Sequence, residues 1–285
     1  MYNNIVVGYD ESTYSKAALQ EAANWIKAHG GKASLVHGVY FDQEESGIAP
    51  EQVEKRMEFG KKVCLQAKDV MSKEYGIEIE SLICEGEPPQ VIVDVARAKG
   101  ADLIALGTHG RRGIKRLIMG SVTSQVIVSS SCDVLVVKRP CGGCGGKYKS
   151  ALVPFDGSQS SRNALGRALE IAKADGTGVT ALYVMPRYEE MMEFFMTEGM
   201  KNSMYQEAQK VLNAAKAAAS AQGLPITTMV DEGAVSEKIV YLADKLWCDL
   251  IVMGSHGWTG INKAIIGSTA ERVITGANCP VLIVR

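Results

Sequence analysis

Two kinds of apolar spacing alternate along this chain. Short continuous apolar runs are followed by longer stretches in which apolar positions recur every three or four residues. In the first half, the runs Asn4–Val7, Ala33–Val39, Ile77–Cys84, Leu103–Leu106 and Val134–Lys138 predict strands. The spacing between them predicts helices at about Thr13–His29, Pro50–Tyr75, Pro89–Lys99 and Ser121–Ser130. The second half repeats the alternation. NIVVGYDESTYSKAALQEA opens the first copy and SALVPFDGSQSSRNALGRALEIA the second; CDVLVVKRP closes the first and CPVLIVR the second. Equivalent positions lie 146 apart at Asp10 and Asp156, and 147 apart at Gly107 and Gly254 and at Cys132 and Cys279. Long insertions are therefore absent or cancel.

Strands joined by helices of this length make βαβ units with right-handed crossovers and a parallel sheet. The expected fold is α/β: two tandem, doubly wound, five-stranded parallel-sheet domains, residues 1–140 and 148–285, joined by a Gly/Cys linker at 141–147. With strand order 3-2-1-4-5 the winding reverses between the first and fourth strands. Ligands of such sheets sit beyond the carboxyl ends of the strands at that reversal. The residues expected there are Asp10 and the Gly107 loop in the first copy, and Asp156 and the Gly254 loop in the second. The closing strands, Val134–Val137 and Val281–Val284, are apolar throughout and would be exposed edges. Pairing these two edges within the chain is the simplest remedy and would relate the copies by a pseudo-twofold.

Composition narrows the function classes. The 285 residues are 46% apolar and 22% charged, with a net charge of −1. Nothing in that balance argues for nucleic acid or an anionic membrane. The opening MYNNIVVGYDE has no basic start and no long apolar core of a signal peptide, and no run reaches membrane-spanning length, so a cytoplasmic protein is expected. Seven cysteines, most inside apolar runs, fit reduced thiols better than a disulfide framework.

The chemistry concentrates in LIALGTHGRRGIKRLIMGS, Leu103 to Ser121, and its echo LIVMGSHGWTGINKAIIGS, Leu250 to Ser268. Each is a strand-like run, then glycines, then Gly-Ser at the start of a helix. The functional reading is a phosphate cradle. Backbone N–H groups near Gly107, Gly110 and Gly120, the Ser121 hydroxyl and a helix N-terminus would hold phosphate oxygens. Gly254, Gly257, Gly267 and Ser268 would do the same in the second copy. The bland reading is a glycine exit and a serine cap; duplication of the spacing favours the cradle. Arg111, Arg112, Lys115 and Arg116 make the first loop basic, and they either contact phosphate or are simply solvated. The second loop keeps only Lys263, with Trp258 and Thr259 in place of the two arginines. The more basic first copy is therefore expected to bind more tightly.

Asp10 and Asp156 could bond a ribose hydroxyl, hold a metal on the phosphates, or cap the following helix. His109 and His256 could serve as acid–base groups, order their loops or pack on the ligand. No Walker sequence and no obvious metal-holding carboxylate cluster accompanies the loops. Cys141-Gly-Gly-Cys144 is open to three readings: plain linker, redox dithiol, or a weak metal site. The Met-rich stretch Met191–Met204 reads as a lid or a partner surface.

Taken together, these residues resemble the universal stress protein family in its tandem form. The family pattern G-x2-G-x9-G-[ST] is met by Gly107, Gly110, Gly120 and Ser121, and again by Gly254, Gly257, Gly267 and Ser268. The resemblance implies an adenine nucleotide alpha hydrolase-like fold that binds ATP or AMP, with Mg²⁺ as a candidate companion, and dimerisation through the last strand. By the same resemblance Asp10 and Asp156 lie against the nucleoside. Gly38-Val39 and Val184, at the ends of the second strands, hold adenine through the backbone. Val122 and Thr123, and Thr269 and Ala270, continue the phosphate and ribose contacts. Many members carry Pro two residues before the Asp. Pro154 keeps it, while Gly8 departs, which puts the path of the first loop in question. The implied role is a nucleotide-dependent stress regulator or binding module with at most slow ATP hydrolysis. The alternatives are an ATPase or nucleotidyl transferase using the basic loop, and a redox or metal sensor at Cys141 and Cys144. A protein partner and a homodimer are open.

Overall fold

The first helix is written into its flanks. Ser12 takes an extended backbone and its hydroxyl accepts the Ser15 N–H at 3.1 Å, capping α1, Thr13–His29. Gly30 closes the helix at φ +81°, where an L side chain would be strained. Between these caps Ala18, Leu19, Ala22, Ala23 and Ile26 form one buried stripe at helical spacing. The copy behaves alike: Ser158 caps α5, Gln159–Asp175, by accepting the Ser161 N–H at 3.2 Å.

A computed structural model describes residues 1–40, 50–110, 119–186, 197–256 and 265–285. It divides into two units, Met1–Lys147 and Tyr148–Arg285. In the first, strands β1 (Asn4–Gly8), β2 (Lys32–Val39), β3 (Glu80–Glu85), β4 (Leu103–Gly107) and β5 (Asp133–Val137) form a parallel sheet in the order β3-β2-β1-β4-β5. The helices between them are α1, α2 (Pro50–Val70), α3 (Pro88–Lys99) and α4 (Ser121–Ser129). In the second unit, β6 (Ser150–Pro154), β7 (Gly178–Pro186), β8 (Thr227–Gly233), β9 (Leu250–Gly254) and β10 (Val281–Val284) repeat the order as β8-β7-β6-β9-β10. Its described helices are α5, α6 (Glu198–Ser220), α7 (Val235–Lys245) and α8 (Ser268–Gly276). Each half is therefore a doubly wound α/β unit with the expected order. Among the described residues no helix is long and apolar enough to cross a membrane.

The central strands are buried on both faces, as helices on either side of a parallel sheet require. Every residue of β4, β5, β9 and β10 is buried. Each large side chain so enclosed, such as Ile104 or Leu250, contributes about 1.5–3 kcal/mol of hydrophobic free energy. A carboxylate clamps the amino end of each first strand. Asp102 accepts the N–H groups of Asn3 and Asn4 at 2.7 and 3.0 Å, and Asp249 those of Lys149 and Ser150 at 2.8 and 3.0 Å.

Three local departures have physical causes. The third strand begins at Glu80 rather than Ile77, because α2 runs on into a π-helical turn, Met71–Tyr75, closed by Gly76 in the left-handed region. Ile77 and Ile79 are buried ahead of the ladder, whose first pair is Ser34 with Glu80. The Gly8/Pro154 difference leaves the chain path unchanged. Gly8 is level with Val36 and Pro154 with Leu182, and the next residues, Tyr9 and Phe155, donate to those carbonyls at 2.9 and 2.8 Å. A β-carbon at Gly8 would press on the side-chain ends of Leu106 and Ile92, which now fill that space. Finally, residues 141–147, expected to be a loose linker, group with the first unit and are anchored on α1, and Cys141 and Cys144 are joined as a disulfide.

Candidate functional site

The carboxyl ends of β1 and β4 bring the first glycine loop to Asp10. The Asp10 carboxylate does not cap α1; that task falls to Ser12. Instead Asp10 Oδ1 accepts the Ser12 N–H at 3.1 Å, and Asp156 Oδ1 accepts the Ser158 N–H at 2.9 Å. Each Asp therefore sits two residues ahead of the cap, held by its own loop. Asp10 Oδ2 lies 2.7 Å from where a β-carbon on Gly110 would be. A β-carbon at 110 would push that carboxylate oxygen from its present place. Ser12 also donates its hydroxyl to the His109 carbonyl at 3.4 Å, tying the end of β1 to the glycine loop. The residue between Asp10 and Ser12 is Glu11, in the left-handed region at φ +69°. Its counterpart Gly157 has φ +81°.

The glycines divide into two tasks. Gly107 and Gly254 serve packing. A β-carbon at 107 would lie 2.6 Å from the backbone of Tyr14, and one at 254 would collide with Ser160. These glycines let the first turns of α1 and α5 close onto the strand ends. Gly120 and Gly267 shape the loop before the helix. Their N–H groups donate to Thr108 O and Ser255 O at 2.9 and 3.0 Å, folding the loop back on itself. Each then acts as an extended N-cap with no side-chain hydrogen bond, for α4 and α8 respectively. The first N–H groups of both helices thus face outward at a positive dipole end, an anion-binding arrangement. Ser121 and Ser268 are exposed there, with Val122 and Thr269 half-buried beside them. Thr123 is buried and donates its hydroxyl to Gly107 O at 2.7 Å, so the contact expected of it can come only from its backbone; Ala270 has no hydroxyl to offer.

The two copies differ in how the loop satisfies itself. Thr108 is buried, and its Oγ1 has no hydrogen-bond partner among the described residues. At the matching position, Ser255 Oγ pairs with His256 Nδ1 at 3.0 Å, and His256 Nε2 meets the Ile265 carbonyl. In the first copy His109 is instead buried against the Tyr14 ring, centroids 5.4 Å apart. The His256 ring is thus bonded within its own loop, and the His109 ring packs on the first turn of α1. A buried hydroxyl without a partner is costly unless something else supplies one. Together with the helix start that lacks a side-chain cap, it fits a hydrogen-bonding ligand in the first copy.

At the ends of the second strands, Val39 closes β2 opposite Glu85, and Val184 pairs with Asp231. By register Val184 is level with Gly38, and Met185 with Val39. A β-carbon on Gly38 would approach Pro88 at 2.8 Å, so α3 can begin close over β2 only because of that glycine. Arg111, Arg112, Lys115, Arg116, Gly257, Trp258, Thr259, Lys263 and Met191 lie outside the described residues. Sequence reasoning missed the paired Ser caps and the Thr108/Ser255 position. Duplicated serines in ESTYS and GSQSS were the available signal for the first; the second carried none.

Comparison with known proteins bears on this geometry. The model of the universal stress protein family matches residues 1–138 and again 147–285. A universal stress protein of Methanocaldococcus jannaschii is 38% identical over 140 residues, covering 48% of this chain and 82% of the relative. Another, from Mycolicibacterium smegmatis, is 24% identical over 299 residues, covering 99% of this chain and 96% of its own. The crystal structure of a universal stress protein from Archaeoglobus fulgidus DSM 4304 shares the fold, with a TM-score of 0.76 at 20% identity over 99% of this chain and 96% of that one.

Proposed function

Because the chain belongs to the universal stress protein family, we propose that it is an adenine-nucleotide-binding module, with one site in each copy, that senses ATP or AMP rather than turning it over rapidly. The observation that carries this reading is the start of α4 and α8 without a side-chain cap, at the Gly120 and Gly267 turns. Phosphate oxygens would accept from the first-turn N–H groups and from the Ser121 or Ser268 hydroxyl. In the first copy the Thr108 hydroxyl would gain the partner it lacks. Asp10 and Asp156, fixed by their loops, face the position of a ribose. The backbone at Gly38-Val39 and Val184 lies at the adenine end. Mg²⁺, when present, would neutralise the phosphates. Fast phosphoryl transfer calls for metal-holding carboxylates and a positioned nucleophile, and no described residue is assigned either task.

The test is to denature the protein as purified, identify and count released adenine species by chromatography and mass spectrometry, and titrate stripped protein with ATP and AMP by calorimetry. One to two nucleotides per chain, or binding at micromolar ligand, is expected. No released nucleotide together with no heat up to millimolar ATP and AMP would overturn the reading. Rapid Mg²⁺-dependent turnover would favour an enzyme instead.

A further inference from the structure

The segment between the two copies is built more carefully than a spacer requires. Cys141 and Cys144 form a disulfide across a Cα–Cα distance of 5.6 Å, within the usual range for a bridge. The Cys141 N–H donates to the carboxylate of Glu21, a buried residue of α1, at 2.9 Å. Lys147 N–H donates to Cys144 O at 2.9 Å. Gly146, at φ +86°, lies flush on the backbone of Asn24 and Trp25, where no β-carbon fits. The cysteine loop is therefore docked at both ends on the first helix.

Its tip is the opposite. Gly142 and Gly143 are exposed, and a β-carbon on either would meet nothing within 4 Å. Cys141 and Cys144 are half-buried residues rather than enclosed ones, and the two residues between them carry no side chain to shield the bridge. As a staple the bridge has little value. It closes a span of only three residues, and crosslinks over short spans restrict the unfolded chain least. The other five cysteines are unpaired thiols, and Cys64 and Cys248 among them are buried. Burial pushes Cys64 up to about 11 and Cys279 up to about 12, and also raises Cys132 and Cys248. Thiolate chemistry is thus suppressed at these four, whereas Cys141 and Cys144 stand three residues apart and already bonded to one another.

We propose that Cys141 and Cys144 form a reversible two-electron thiol–disulfide site whose co-reactant is a low-molecular-weight disulfide and its thiol. In the oxidising direction one cysteine thiolate attacks the co-reactant disulfide, R–S–S–R. A mixed disulfide forms and RS⁻ leaves. The second cysteine thiolate then attacks the cysteine sulfur of that mixed disulfide, closing the Cys141–Cys144 bond and releasing the second RS⁻. Two cysteine S–H bonds are lost, and the two protons and two electrons leave with two R–SH. Glu21 is a positioning residue that holds Cys141 at the start of the loop. The reduced loop would lose its ring closure but keep its anchors, so the redox state is written into the segment between the two copies.

The experiment equilibrates the intact protein in buffers of glutathione and glutathione disulfide, quenches with acid, alkylates, and maps each cysteine by mass spectrometry. The expected result is paired conversion of Cys141 and Cys144, with the ratio of bridged to dithiol form proportional to the ratio of glutathione disulfide to the square of glutathione. The other five should be recovered as thiols throughout. Cys141→Ser should trap a glutathione adduct on Cys144, and adding dithiothreitol to folded wild-type protein should open the bridge within minutes. Four results would overturn the proposal. They are independent thiols at every ratio, unresolved adducts in wild type, a bridge that resists excess dithiothreitol, and tight binding of added Zn²⁺ that blocks reoxidation.

Discussion

Asp10 Oδ2 stands 2.7 Å from the point a β-carbon on Gly110 would occupy, although 100 residues separate the two along the chain. The carboxylate and the glycine loop therefore fix each other's place. Gly110→Ala must turn Asp10 away and stretch its 3.1 Å bond from Ser12 N–H. The expected fall in nucleotide affinity is tenfold or more, equivalent to about 1.4 kcal/mol. Global stability should change by about 1 kcal/mol or less. Calorimetric titration with ATP beside a urea denaturation curve checks both. Full affinity in Gly110→Ala would separate the glycine from the site.

Glu11 holds φ +69° where the second copy has Gly157 at +81°. A left-handed non-glycine residue costs about 1–2 kcal/mol, and strain of this kind persists where the surroundings insist on it. Glu11→Gly should relieve the strain, against some added freedom of the unfolded chain. A net gain of about 0.5–1 kcal/mol in unfolding free energy is expected, read from the urea midpoint at unchanged slope. A loss of stability would mean that the Glu11 side chain contributes more than its backbone costs.

Much of this was legible in the sequence because it is local and doubled. Strand runs, helix periods and the Gly-x2-Gly spacing repeat at a nearly constant offset, and parallel order follows once helices are seen to separate strands. The Asp10 and Asp156 positions were legible for the same reason. Which residue caps the helix was not: Asp and Ser both cap helices, and only backbone geometry places Ser12 and Ser158 at the cap. Contacts across long separations left no periodic trace. The anchoring of Cys141 by Glu21 joins residues 120 apart, and Gly8 answers side chains of α3 and β4. The Gly-rich composition of 141–147 suggested looseness, yet the same glycines permit close docking on α1.

Thr108 offers a test that separates ligand from fold. Its Oγ1 is buried without a partner, so Thr108→Val removes an unsatisfied group and keeps the volume. Stability of nucleotide-free protein should be unchanged or rise by up to about 1 kcal/mol, while affinity for ATP falls several-fold. The thermal midpoint of stripped protein and its shift with added ATP give both numbers. Lower stability together with unchanged affinity would show that the hydroxyl serves the fold alone.

The buried thiols set a pH dependence. Burial raises Cys64 to about 11 and Cys279 to about 12, and only the thiolate reacts. A raised value means the reactive form is scarce until the pH nears it. In the folded, oxidised protein these two should resist a maleimide or iodoacetamide from pH 7 to pH 9, and react fully once unfolded. Mass mapping of alkylated peptides at each pH checks this. Rapid labelling of Cys64 at pH 8 would show that α2 opens readily.

The two cradles should not bind alike. Gly120 and Gly267 have nearly the same surroundings, a β-carbon on each lying 3.1 and 3.0 Å from the carbonyl oxygen of Thr108 or Ser255. Valine at either position should therefore strain its loop to a similar degree, and a difference in binding reads the sites rather than the packing. In the second loop Ser255 and His256 already satisfy one another, whereas Thr108 waits for a partner. The first loop also carries Arg111, Arg112, Lys115 and Arg116 against Lys263 alone. Gly120→Val should abolish the tighter component of ATP binding and leave a weaker one. Gly267→Val should keep the tight component and lower the stoichiometry. Calorimetry on both stripped variants decides it, and equal losses of affinity and stoichiometry would refute the asymmetry.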